Sequence, residues 1–101
     1  MGMVKRFMVY EVQVDEEVKP CVVISPDELN AVLPYTMVAP ITSKIRPLPY
    51  RVLLEMKGKD VQIALDQIRT RPKKDFLRKI GRLPEACHEQ IAQVLKQLFE
   101  M

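Results

Sequence analysis

This sequence predicts a mainly β fold with a minor helical part: a small twisted barrel with short helices, closed by a C-terminal amphipathic helix. Three observations carry the prediction. The chain has 101 residues, enough for one domain (1–101) with a single modest core. Several apolar or alternating runs of strand length are separated by short polar or proline-rich turns. One segment, at the C-terminal end, spaces its apolar residues as a helix does.

The elements follow in order. Residues 5–14, KRFMVYEVQV, set Met8, Tyr10, Val12 and Val14 on one face and Phe7, Val9, Glu11 and Gln13 on the other, a strand pattern. After DEEV (15–18), the run CVVIS (21–25) is a second, fully apolar strand. Pro20 fits its start, where a missing N–H removes no ladder bond. SPDELN (25–30) opens a helix, with Ser25 as N-cap, Pro26 as first helical residue and Glu28 closing a capping box. Pro34 limits it to one or two turns. TMVAPI (36–41) is the third strand and YRVLLEM (50–56) the fourth, with RPLP as an extended loop between them. KGKD (57–60) turns into VQIALDQIR (61–69), the fifth strand. Thr70 suits the N-cap of a short helix near 72–77, and RKIGRL (78–83) returns as the sixth strand. From Pro84 to residue 99 the chain is helical, with Cys87, Ile91, Val94, Leu95 and Leu98 on one stripe.

Several function classes are excluded by what the chain lacks. No apolar run is long enough to span a membrane, and the N-terminal residues carry no export signal. Cys21 and Cys87 have no paired spacing and read as buried, reduced thiols, so a cytoplasmic location is expected. With His88 as sole histidine and no Cys-x-x-Cys, a zinc site lacks ligands, and His88 reads as structural or exposed. There is no glycine-rich phosphate loop. No cofactor is expected.

Charge is distributed unevenly. The net charge is +3, but RTRPKKDFLRKIGR (69–82) holds seven cations against the single Asp75, so this segment is +6 and the remainder −3. Such a stripe attracts RNA, DNA or an acidic peptide; a solvated face that binds nothing has the same composition.

A second feature lies in VLPYTMVAPITSKIRPLPYRV (32–52), where the hydroxyl pair Thr42–Ser43 separates an apolar run from Lys44, Arg46 and Arg51. Cations and hydroxyls without metal ligands suit cleavage of RNA, whose own 2′-OH can attack phosphorus. The protein then has to position the phosphate, offset charge on its oxygens and move a proton at each end. Lys19, residues 42–44 and Arg69 are of the required types. A solvated loop would contain the same residues.

Three segments, KPCVVISPDELN (19–30), VAPITSKIRPLPYRV (38–52) and LDQIRT (65–70), together with the closing RKIGRLPEA and VLKQLF, resemble the MazF/PemK (Kid) family of toxin ribonucleases. The resemblance implies an SH3-like barrel of the CcdB/PemK toxin type with a C-terminal helix, and a homodimer. It implies metal-independent, sequence-selective cleavage of single-stranded RNA to a 2′,3′-cyclic phosphate, and an acidic antitoxin peptide that occupies the RNA groove. Lys19, Thr42 and Ser43 are then the expected catalytic groups, with Gln67 and Arg69 near the groove. Lys44, Arg46, Arg71 and Lys73 are the further cations expected to hold RNA.

Two departures from the family pattern have physical consequences. Lys19–Pro20 stands where the family usually has Arg-Pro, and lysine lacks the planar fork that grips two phosphate oxygens. The first loop is shortened, which sets Asp15, Glu16 and Glu17 near the expected phosphate, where like charges oppose binding. They motivate an alternative: a catalytically weakened fold that binds RNA or an acidic peptide. The related gyrase-poisoning toxins use a C-terminal tryptophan, and this chain has none. Dimerisation is further suggested by Phe7 and Val9, which need cover.

Overall fold

The computed structural model describes residues 4–100. Its elements are β1 (Met8–Val14), β2 (Glu17–Val23), α1 (Asp27–Val32), β3 (Tyr35–Thr42), β4 (Arg51–Met56), β5 (Lys59–Ala64), β6 (Arg69–Pro72), β7 (Phe76–Arg82) and α2 (Glu85–Leu98). Single 3₁₀ turns at Leu65–Gln67 and Lys73–Asp75 flank β6. The strands form one antiparallel sheet in the order β4-β5-β3-β2-β1-β7, with β6 paired to β3. The result is a strongly coiled half-barrel with the C-terminal helix packed against it, in line with the expected class.

Alternation along the central strands explains how the sheet is buried on both faces. Val9, Val22, Ala39 and Ile41 point to a core that also takes Ile63, Leu65, Leu83, Cys87 and Ile91, so α2 lies over this face. Tyr10, Val12, Cys21, Val23 and Val38 point the other way, into a second cluster closed by Val4 and Phe76. The Tyr10 and Phe76 rings meet edge-on at 5.2 Å between centroids. Both cysteines are free and buried, and burial pushes the Cys21 thiol up to about 11 against the pull of Lys19 and Arg69.

Several sequence expectations are revised. β2 starts at Glu17, so Pro20 lies within it, beyond the last β2–β3 pair, Cys21↔Pro40, where its missing N–H breaks no bond to β3. Ser25 does not cap α1; Pro26 occupies that position without a side-chain bond. The buried Ser25 hydroxyl instead donates to Asn30 Oδ1 and accepts from Met37 N–H, tying the helix to β3. Thr70 pairs with Met37 inside β6 rather than capping a helix.

The fifth strand is not continuous over 61–69. β5 and β6 both pair with β3, at Ile41↔Ile63 and Val38↔Arg69. Between those pairs, residues 39–40 of β3 face residues 64–68, so the longer side bulges out as the 3₁₀ turn. Pro40, with no N–H to offer, sits opposite this break. There are therefore seven strands, not six.

The basic segment 69–82 also does not form one stripe. It is split between β6, on β3, and β7, on β1. Arg69, Arg71 and Arg78 form ion pairs with Asp15, Asp75 and Glu11, and Lys73 donates to the Asn30 carbonyl. Phe7 and Val9 are covered within the chain. Val9 is in the core, and Phe7 stacks on His88 at 4.0 Å while a His88 ring nitrogen sits 2.9 Å from the Leu83 carbonyl oxygen. His88 is thus structural, and Phe7 and Val9 both have partners within the chain.

Candidate functional site

The end of β3, the 43–50 loop and the 3₁₀ break meet around an open cavity of about 560 Å³. It brings together Lys19, Thr42, Ser43, Lys44, Arg46 and Gln67 from segments far apart in sequence. A smaller depression next to it shares Lys19 and Gln67 and adds Arg69. Arg71 and Lys73 line neither cavity.

Each position has a local cause. Lys19 follows the tight β1–β2 turn, whose Asp15 has φ +57°, a conformation short polar residues tolerate. Gln67 is exposed because the 3₁₀ break lifts residues 65–67 away from the ladder. Thr42 ends β3, and its Oγ1 accepts the Lys44 N–H at 3.1 Å. That bond occupies a lone pair and leaves the hydroxyl proton free to donate to a ligand oxygen.

Three further residues define the site. The Arg51 guanidinium, only 4% exposed, donates twice to Asp66, Nε to Oδ1 at 2.7 Å and Nη2 to Oδ2 at 3.1 Å. Those bonds hold the Asp66 carboxyl below its ordinary range, so Asp66 stays an anion and a poor proton acceptor. Gln62 is buried at 7% and joins this pair to the loop. Arg51 stands out in the sequence beside the loop cations, but its tie to Asp66 is fifteen residues away and was not legible. Gln62 has only one sequence signal, a polar residue in an apolar strand.

The electrostatics are not simply cationic. Lys19 Nζ lies 3.5 Å from Glu17, and Arg69 Nη1 lies 3.0 Å from Asp15. The acids of the short first turn therefore face the two cations at that end. Among the described residues, no group of three or more His, Cys, Asp or Glu side chains is arranged to hold a metal. No helix among them is long and apolar enough to cross a membrane.

The site sits on a fold found in known proteins. A family model described as a PemK-like, MazF-like toxin of type II toxin–antitoxin systems matches residues 5–99. None of the curated proteins is detectably similar in sequence. Among solved structures, the Mycobacterium tuberculosis toxin MazF-mt6 superposes with a TM-score of 0.83 at 23% identity, over 93% of this chain and 97% of that one. An endoribonuclease in complex with its cognate antitoxin, from a mycobacterial species, gives 0.85 at 20% identity, over 93% and 92%. A MazE–MazF complex from Deinococcus radiodurans gives 0.85 at 18%, over 100% and 99%. At these identities the structures establish a shared fold.

Proposed function

Because this chain belongs to the PemK-like, MazF-like toxin family of type II toxin–antitoxin systems, we propose that it is a metal-independent, sequence-selective endoribonuclease of single-stranded RNA. The observation that carries this reading is the shared cavity of Thr42, Ser43 and Lys19, with a hydroxyl proton on Thr42 that is donated to none of the described residues.

In this reading a phosphodiester sits against Thr42 and Ser43, whose hydroxyls donate to its non-bridging oxygens as negative charge grows there. Lys44 and Arg46 flank the strand and offset backbone charge. The neighbouring 2′-OH attacks phosphorus and loses its proton to solvent. The P–O5′ bond breaks, and the Lys19 ammonium supplies the proton to O5′. The products are a 2′,3′-cyclic phosphate and a 5′-OH. Arg69 and Gln67 extend the groove toward the next nucleotide, and Arg71 and Lys73 act as outlying cations for a longer RNA. The structural neighbours include an endoribonuclease with its antitoxin and a MazE–MazF complex, which supports an acidic antitoxin peptide as the groove's second occupant and a homodimer as the working form. A cytoplasmic location fits that role.

One observation favours a second reading, a binder with weakened chemistry: Glu17 and Asp15 already neutralise Lys19 and Arg69. Incubation of purified protein with mixed RNA in excess chelator separates the two. Cleavage by the parent chain supports the nuclease. If only Lys19→Arg cleaves, the binder reading stands.

A further inference from the structure

Gln62 is a polar side chain where a sheet interior favours an apolar one. It sits on β5 beside the fully buried Ile63, directly across from Thr42 of β3 and Leu53 of β4. A buried carboxamide is unfavourable unless its donor and acceptor groups are matched. Here they are. Gln62 Nε2 donates to the Arg46 carbonyl at 2.9 Å, and Oε1 accepts the Arg46 N–H at 3.0 Å and Arg51 Nη1 at 3.4 Å. The side chain pairs with the Arg46 peptide as a neighbouring strand would. Its orientation is fixed as well, because a flipped amide would set its NH2 against two donors.

The loop it holds has little other support. Residues 43–50 contain Pro47 and Pro49, which lack N–H groups, and Arg46 lies near the middle. The loop's ends are tied by Thr42 Oγ1 to Lys44 N–H and by Tyr50 O to Leu65 N–H. Between them lies one internal turn, Leu48 N–H to Arg46 O, and among the described residues its hydrogen bonds to the sheet come from Gln62 alone.

We propose that Gln62 is the positioning residue of the groove: its amide, oriented by Arg51, sets the Lys44–Arg46 wall at a fixed height beside Thr42, so that RNA meets a preformed cationic edge. This rests on the groove being an RNA site. It assigns Gln62 to binding rather than to the chemical step, because the amide bonds to Arg46 and Arg51 and Gln62 does not line the cavity. An apolar side chain of similar size would fill the same sheet position and leave the fold intact while freeing the loop.

The test compares the parent with Gln62→Leu and Gln62→Glu. Amide hydrogen exchange is followed on RNA-free protein. Affinity is measured for an RNA oligonucleotide whose 2′-hydroxyls are replaced by hydrogen, and single-turnover cleavage is measured at saturating RNA. In Gln62→Leu, exchange at Arg46 should accelerate about tenfold or more. Affinity should fall about tenfold while the saturated cleavage rate stays within about threefold. Gln62→Glu keeps the acceptor for Arg46 N–H but sets its second carboxylate oxygen against the Arg46 carbonyl, so exchange at Arg46 should also accelerate and affinity should fall at least as far as in Gln62→Leu. Should Gln62→Leu fail to fold, the Glu variant still decides. Parent-like exchange at Arg46 in Gln62→Leu or in Gln62→Glu, or parent-like affinity despite faster exchange, would each overturn the proposal. A parent protein that binds no RNA would instead remove the RNA reading, and the exchange arm would still report whether Gln62 holds the loop.

Discussion

The two ends of the groove are built differently. At the loop end, Arg51 is 4% exposed and Gln62 7% exposed, and each makes more than one polar bond. At the turn end, Lys19 and Arg69 each face one acid, with exposures of 41% and 72% for Lys19 and Glu17, and 47% and 72% for Arg69 and Asp15. Exposed single pairs are worth about 0–1 kcal/mol because water and salt screen them. Buried, multiply bonded groups cost several times more to break. One end is therefore fixed and the other loose; under the proposed function the reacting phosphate would lie between them, held by Thr42 and Ser43 while Lys19 and Arg69 exchange their acids for the incoming polyanion. An RNA backbone and an acidic peptide would compete for that loose end on similar terms.

The largest effect that would break this contrast comes from Thr42. Replacing it with Ala removes the free donor at the rigid end, and cleavage should fall about 100-fold or more with little loss of stability. Persistent cutting by Thr42→Ala, measured on the same RNA under identical conditions, would move the chemistry out of the fixed end.

Next comes the Arg51–Asp66 pair. Arg51→Met leaves Asp66 without its partner and should cost about 2 kcal/mol in urea unfolding, less than a fully buried pair because Asp66 is still partly wetted. The pair also has a pH signature. Asp66 is held below its ordinary value by the Arg51 hydrogen bonds, so its contribution is fully present above the unfolded-state carboxylate value of about 3.9. It is lost as pH falls through the lower, folded value. Arg51→Met should remove that acid-side loss; an unchanged acid limb would show that the pair does not lock this end.

The smallest effect sharpens the other side. Asp15→Asn with Glu17→Gln removes two acids from the loose end, and Asn keeps the positive φ that Asp15 adopts. RNA affinity at low salt should rise about three- to tenfold, with stability changed by about 0.5 kcal/mol or less. Binding that is indifferent to both acids would mean the turn end does not meet RNA.

Much of the frame was legible because local chemistry and tertiary structure agree there. The β1 alternation, the β4–β5 turn at Lys57–Gly58, where both residues take positive φ, and the stripe on α2 are local signals. The 3₁₀ break was hidden because VQIALDQIR continues an apolar pattern through it, and what ends the strand is its mismatch with β3 around Pro40. Ser25 and Thr70 look like caps by residue type, yet contacts to Met37 across the fold decide both. Thr42, Ser43 and Lys19 could be named in advance as candidates from their residue types and the family resemblance, and they do line one cavity. Gln62 could not, since its partner Arg46 lies sixteen residues away and only folding brings them together.

The most direct measurement is the chemistry of the product ends. The protein is incubated with a defined single-stranded RNA in excess chelator, beside a copy carrying hydrogen in place of the 2′-OH at the cut position. Fragments ending in a 2′,3′-cyclic phosphate and a 5′-OH from the first RNA, and none from the second, are the expected result. Intact RNA, or fragments with 3′-OH and 5′-phosphate ends, would contradict a groove that lets the sugar cut its own chain.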